Sequence, residues 1–337
     1  TLTTSPSLKS VYVGGSHGTN VLSTIAGQSP GKLFGTAYLA NFAMAQTEED
    51  ASELIVEEAN WLRGAEWADS LGTDVLSSSL GYSEFDNLKH NHTYADMNGR
   101  TTLVSKAAVW ASQKGIICTI SAGNEGTNTW KYISAPADAD SILAIGAVDR
   151  SGLKASFSSL GPSFDKRIKP DVSSMGLGTV VGTTSGTIAT SNGTSFSAPL
   201  MAGFAAGMVQ ANPRNSSWQI MDAIRKSGNQ ASKPDNLLGY GIIKMDGQTP
   251  LLETLGVVRL SKFEDHGEKL FHIFERIVAL IDGFNVTEVS IEAPFYGKNV
   301  QSMLKLGRAQ GVAIAAAISR KVPVYEYVPR KIKQSIC

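Results

Sequence analysis

Acidic residues are missing from the first sixteen positions, where Lys9 is the sole charged side chain. Cysteine is almost absent as well. Cys118 and Cys337 alone cannot make a disulfide framework, so the fold must rest on an ordinary buried core, and the redox compartment stays open. No apolar run is long enough to span a bilayer as a helix, residues 203–209 being apolar but short. Neither a GxGxxG nor a P-loop spacing occurs, which excludes the usual glycine-rich phosphate cradles. Net charge is absent too, and a zero balance argues against a uniformly basic chain. The zero is a sum of unequal parts, because Lys298, Lys305, Arg308, Arg320, Lys321, Arg330, Lys331 and Lys333 face Glu326 alone in the last forty residues or so.

What is present points to two domains and to chemistry in the first. A length of 337 residues with 42% hydrophobic content suits two globular units. Asn192-Gly-Thr-Ser-Phe-Ser-Ala-Pro199 delivers the Ser195 hydroxyl from a glycine turn into a helix of small side chains, with Pro199 expected in the first helical turn. The positive end of that helix would stabilise a developing oxyanion. His17 lies in Gly15-Ser-His-Gly-Thr-Asn-Val-Leu-Ser-Thr-Ile-Ala-Gly27, opening a second small-residue helix that should end at Gly27. An imidazole held there can take a proton from a serine. Ser121-Ala-Gly-Asn-Glu-Gly126 follows a buried apolar run and puts Asn124, an amide donor, on the loop leaving a strand.

Taken in order, these three motifs resemble the subtilisin-like (subtilase) serine peptidases over residues 1–241. The resemblance implies an α/β fold, a mostly parallel sheet with helices on both faces, here without its first strands. It also implies that Ser195 is the nucleophile, His17 the general base, and Asn124 an oxyanion donor beside the Ser195 N–H. Asp74-Val-Leu-Ser-Ser-Ser-Leu-Gly-Tyr82 is similar to the family's cleft-lining strand, so Ser79, Leu80 and Gly81 are expected to pair with substrate backbone. Peptide or protein is the implied substrate. No cofactor is implied for the peptidase chemistry, and calcium is a frequent structural partner in the family without a nameable ligand set here.

The family's catalytic Asp stands on a strand before the histidine motif, and no acid precedes His17 in this sequence. Asp69 and Asp74 do not sit in the expected context and read as structural or solvent-facing. Without that acid nothing fixes the His17 tautomer, so activity is expected to be impaired. The opening Thr1 and the absence of a charged and apolar leader give the expectation of a truncated start without a signal peptide, although the family implies export to the periplasm or outside.

A second pattern begins near Gly239 and gives a partial domain over 242–337. Leu255–Leu260 reads as a strand, and Glu268–Asp282 as an amphipathic helix with Leu270, Phe271, Phe274, Ile277, Val278 and Ile281 on one face. Val286–Glu292 reads as a strand and Asn299–Arg320 as a helix. Gly239-Tyr-Gly-Ile-Ile-Lys, Ile291-Glu-Ala-Pro-Phe-Tyr-Gly-Lys-Asn299, Leu306-Gly-Arg-Ala-Gln-Gly-Val-Ala313 and Val324–Gln334 resemble RuvC-type Holliday-junction endonucleases. That resemblance implies an RNase H-like fold, a cytoplasmic setting, and DNA cleavage by magnesium held on four carboxylates. Glu292 matches one of the four and Phe295 an aromatic near the junction centre, while Lys298 and residues 330–334 suit phosphate contacts. The other three acids have no counterpart, so a nuclease or DNA-binding fragment is expected to be inactive in cutting and to bind DNA weakly through 298–333. Leu238-Gly-Tyr-Gly-Ile242 suits both families, and a splice of two unrelated coding sequences at that shared stretch is expected, by recombination or in assembly of the gene sequence.

Smaller signals read as structure. Thr47-Glu-Glu-Asp50 suggests a capping box starting a long helix with Ala51, Leu54, Ile55, Ala59 and Leu62 at helical spacing. His90-Asn-His92 suggests a solvated loop, with a cation site as the alternative, Trp61, Trp67 and Trp110 at helical positions suggest core or groove packing, and residues 176–187 suggest loops between strands. His266 and His272, flanking the second unit's first helix, are expected as surface or interface residues rather than catalysts.

Overall fold

The computed structural model describes residues 2–4, 11, 15–49, 51–243, 260, 263–284, 286, 288–292 and 300–327. The chain divides into two compact units, Thr1–Asp246 and Gly247–Cys337.

In the first unit the order is β1 (Leu2–Thr4), α1 (His17–Ala26), β2 (Gln28–Ser29), β3 (Leu33–Phe34), β4 (Phe42–Met44), α2 (Val56–Ser70) and β5 (Val75–Ser78). Then come α3 (Leu103–Gln113), β6 (Ile117–Ser121), β7 (Leu143–Val148), β8 (Val172–Met175), β9 (Thr179–Gly182), β10 (Ile188–Ser191), α4 (Thr194–Ala211) and α5 (Ser217–Lys226). Strands β5, β6, β7 and β8 form a four-stranded parallel sheet in that order. Every residue of β6 and β7 is buried, as a parallel sheet covered on both faces requires. Successive side chains go to opposite faces. Cys118, Ile120 and Ala144 join Trp61, Ala65, Val104, Ala107 and Ala108 of α2 and α3, whereas Ile117, Leu143 and Ile145 join Ala198, Met201 and Ala205 of α4 and Ile220 and Ile224 of α5. This is an α/β layer structure with helices on both sides of a parallel sheet.

Local chemistry sets the helix ends. Thr102 accepts from Ser105 N at the start of α3, and Ser216 with Gln219 makes a capping box at α5. Helix α1 stops at Gly27, as its sequence predicts. A buried ion cluster ties α5 to the sheet. Asp171 accepts from Lys169 Nζ at 2.8 Å and Arg225 Nε at 2.7 Å, while the two cations also donate to Ala139 O and Ile142 O. Burial pushes the Asp171 carboxyl upward, but Lys169 and Arg225 outweigh it and hold the pKa below the usual carboxylate range.

Several expectations need correction. Helix α2 begins at Val56 rather than near Thr47, because Glu57 turns its carboxylate back to accept from Glu49 N and Leu54 N, closing the preceding segment as a turn. Pro199 is the sixth residue of α4, beyond its first turn. Residues 176–187 contain β9, which pairs antiparallel with β10 instead of forming loop throughout. His92 is not simply solvated: its Nε2 meets Glu58 Oε1 at 2.5 Å, and Glu58 is buried. Among the tryptophans, Trp61 packs in the core and donates to Ser78 Oγ at 2.9 Å, whereas Trp110 is exposed.

The second unit contains α6 (His266–Phe284), β11 (Val289–Glu292), α7 (Val300–Ser319) and β12 (Val324–Tyr327). Strands β11 and β12 pair in parallel across the α7 crossover. Ile281, Ala317 and Val322 form its buried cluster, with Ile277, Val286, Val289 and Val324 against it. Phe271 was expected on the apolar face of α6 but is 62% exposed. His272 lies against Phe263, with ring centroids 4.9 Å apart. The expected strand 255–260, apart from Leu260, lies outside the described residues, as do Phe295, Lys298 and residues 330–334.

Candidate active site

Parallel strands present their carboxyl ends on one edge, and the loops after β5, β6 and β8 converge there with the start of α4. Gly193 has φ 147°, a conformation a side chain would resist, and it turns the chain from Asn192 into the helix. Its N–H donates to Gly176 O, just beyond β8, at 2.8 Å. Ser195, the second residue of α4, is thereby placed at the helix N-terminus.

Asn124, beyond β6, is fixed to the same point. Its Oδ1 accepts from Thr194 N at 2.9 Å and Thr194 Oγ1 at 3.0 Å, an arrangement that assigns the amide orientation. The Nδ2 group has no hydrogen-bond partner among the described residues, and it lies 3.7 Å from the point where a Cβ on Gly193 would fall, with Ser195 N 3.6 Å from the same point. Thr194 Oγ1 also accepts from Gly123 N at 3.2 Å. Sequence reasoning missed Thr194 as the anchor, although a hydroxyl next to the nucleophile was visible in the motif.

Ser79 follows the end of β5 and touches Ser195 twice. Its Oγ donates to Ser195 O at 2.7 Å, and its carbonyl accepts from Ser195 Oγ at 3.5 Å. Leu80 packs against the core while Gly81 is exposed. A Cβ at Gly81 would lie 2.9 Å from Ser134 Oγ, which makes glycine the fitting residue there.

His17 opens α1, and its ring meets the Phe196 ring edge-on with centroids 6.3 Å apart. It therefore lies beside the residue that follows Ser195 in α4. Close packing of the chain after α1 on α4 depends on Gly203, where a Cβ would fall 1.9 Å from Thr36 Oγ1. His17 is exposed at the surface of the unit, and the protein mass around the imidazole lowers its pKa from the ordinary value. No carboxylate contributes to that shift. Among the described residues no hydrogen bond joins His17 to Ser195.

The Subtilase family model matches residues 5–241. The chain belongs to the subtilase family. Its fold is shared with the prenylagaramide maturation protease PagA, at 22% identity over 72% of this chain and 83% of that one with a TM-score of 0.56. The self-cleaved protease domain of PatA matches at 20% identity over 72% and 85%, TM-score 0.57, and MycP1 from Mycobacterium smegmatis at 21% over 68% of each chain, TM-score 0.54. Residues 234–337 match a second family model, crossover junction endodeoxyribonuclease RuvC. Curated relatives of that name include one from Cytophaga hutchinsonii, 60% identical over 101 residues, and one from Porphyromonas gingivalis, 59% identical over 100 residues. These matches take in 30% of this subtilase chain and 50% and 53% of the relatives, so the chain spans about half the length of the curated proteins it matches.

The two family matches overlap at residues 234–241, and the structure places that stretch in the subtilase unit. Tyr240 N donates to Asp171 O at 2.7 Å, Ser173 N donates to Gly241 O at 3.0 Å, and Ile242 is bridged to Ser173. Gly239 has φ 68° and lies so near Asp171 that a Cβ would fall 2.2 Å from its carbonyl oxygen.

In the second unit Glu292 ends β11 with Tyr327 opposite it, and Glu326 stands opposite Ile291. Glu326 accepts from Gln310 Nε2 at 3.1 Å. Among the described residues the acids that do gather are Glu48, Glu53 and Glu57, in the first unit. Two of the three already serve the protein: Glu48 accepts from Tyr82 Oη at 2.6 Å and Thr47 Oγ1 at 2.9 Å, and Glu57 from two backbone N–H groups. Burial and the neighbouring Glu57, Glu48 and Asp86 push the Glu53 carboxyl up to about 7.

Proposed function

We propose that residues 1–241 form a serine endopeptidase domain that cleaves peptide bonds through an acyl-enzyme. Ser195 Oγ attacks the carbonyl, His17 takes its proton and returns it to the leaving amine, and Asn124 Nδ2 with the Ser195 N–H holds the oxyanion. Ser79, Leu80 and Gly81 hold substrate backbone as an added strand does. The observation that carries this reading is Asn124, anchored through Oδ1 on Thr194 with Nδ2 left as a donor beside Ser195 at the start of α4. Peptide substrates for the domain accord with the solved maturation proteases of the same fold.

The depressed His17 pKa keeps the ring neutral, and so able to act as a base, to below the ordinary value of 6.5. A fluorophosphonate probe tests the assignment on the full chain. Labelling at neutral pH, abolished by Ser195→Ala and declining as pH falls through a midpoint lower than the ordinary imidazole value of 6.5, is expected; equal labelling of the S195A chain would refute it.

The second unit carries a different reading, favoured by its 60% identity over 101 residues to a RuvC protein: residues 242–337 form a nuclease-related domain that binds DNA through 298–333. Binding of four-way DNA that weakens steeply with added salt supports it, and salt-independent or absent binding rejects it. No magnesium or calcium ligand set is assigned. The peptidase part suits an exported setting and the nuclease part the cytoplasm, a mismatch in keeping with a join of two coding sequences at 238–242. Continuous long reads of native genomic DNA across codons 236–244 decide whether that join exists in the genome.

A further inference from the structure

An α-helical carbonyl normally accepts from the N–H four residues on, and for Ser195 that partner is Pro199, which has no N–H. A proline ring at that position also crowds the carbonyl four residues before it. Ser195 is buried, so an unmet carbonyl there would be destabilising. The Ser79 hydroxyl meets it, at 2.7 Å, from a loop 116 positions earlier in the chain. The same residue's carbonyl receives the Ser195 hydroxyl at 3.5 Å. Both polar oxygens of Ser195 are therefore referred to one residue on the cleft strand.

We propose that Ser79 and Pro199 are a matched pair that positions Ser195: the proline vacates the Ser195 carbonyl and the Ser79 side chain occupies it, locking the first turn of α4 to the loop beyond β5. Ser79 is a positioning residue in this arrangement, distinct from any role of its backbone toward substrate. The catalytic consequence rests on the peptidase reading, whereas the exchange of hydrogen-bond donors does not.

The test is a rescue. Ser79→Ala removes the hydroxyl but keeps the carbonyl that Ser195 Oγ uses. In the full chain it should lower the melting midpoint by about 3–8 °C and slow fluorophosphonate labelling by about 10–100-fold with unchanged probe affinity. Adding Pro199→Ala restores an N–H at position 199, and the S79A/P199A chain should regain more than half of both losses. Ser79→Thr, which keeps a hydroxyl, should stay near the parent in both measurements. If P199A deepens the S79A loss of midpoint instead of reversing it, the pairing is wrong. A rescued midpoint with no slowing of labelling by S79A overturns the positioning role. A parent chain that the probe does not label, with the midpoint still rescued, removes the peptidase reading and leaves the pair intact.

Discussion

Ion pairs in the two units have the same chemistry and very different surroundings. In the first, Asp171 is enclosed with Lys169 and Arg225 between the sheet and α5, each cation also donating to a backbone carbonyl. In the second, Arg320 meets Asp282 at 2.8 Å with the two side chains 42% and 51% exposed. Water can replace either partner of the outer pair at little cost, but it cannot reach the inner cluster. Hydrophobic burial follows the same division. The first unit sandwiches a parallel sheet between two clusters, whereas the described core of the second centres on Ile281, Ala317 and Val322. A loop that must hold Asn124 or Ser79 within fractions of an ångström belongs on the better buried frame.

Breaking the inner cluster is the sharpest test of that contrast. Asp171→Asn should cost about 3–5 kcal/mol, because two buried cations lose their counter-ion. All five tryptophans lie in the first unit, so denaturant unfolding followed by tryptophan fluorescence reads that unit selectively. Ile145→Ala, in the centre of the buried sheet, should cost about 2–5 kcal/mol in the same measurement. A loss under 1 kcal/mol for either would mean that the core is looser than its burial implies.

Glu53 provides a smaller, pH-dependent effect. Its folded pKa, raised to about 7, lies above the unfolded value near 4.5, so the folded state binds more protons between the two. That contribution to stability is fully present below about 4.5 and is lost as pH rises through about 7. Thermal melts from pH 4.5 to 8 should show the parent losing ground against Glu53→Gln, with the E53Q chain the more stable at pH 8. An unchanged difference across the range would remove the proposed repulsion. At the bottom of the scale, Asp282→Asn and Phe271→Ser should leave second-unit helicity and its melting unaltered within error by far-ultraviolet circular dichroism, as expected for groups already in water.

Much of the candidate site was legible because it is carried by local motifs. A glycine before a small-residue helix needs no distant partner to announce a sharp turn, and His17, Asn124 and Ser195 fall on the helix start, strand exit and helix start expected of them. Helix α2 was placed too early because Thr47 and its acids look like a local cap, while the actual turn is closed by Glu57 from within the helix. Strand β9 falls in residues 176–187, a stretch that reads as loop because its glycines and threonines hide a four-residue strand. His92 and Glu58 are 34 positions apart, and no local spacing signals their pairing.

Sequence alone determined the elements whose information is local: the glycine turn at Gly193, the helix stop at Gly27, and the buried strand that leads to Asn124. Tertiary structure alone decided which polar groups meet across long separations. Thr194 holds Asn124, Ser79 replaces the donor that Pro199 lacks, and Asp171 joins Lys169 to Arg225. The reason is physical: a hydrogen-bond partner from a distant stretch is selected by the need to satisfy a buried polar atom, and that need exists only once packing has excluded water.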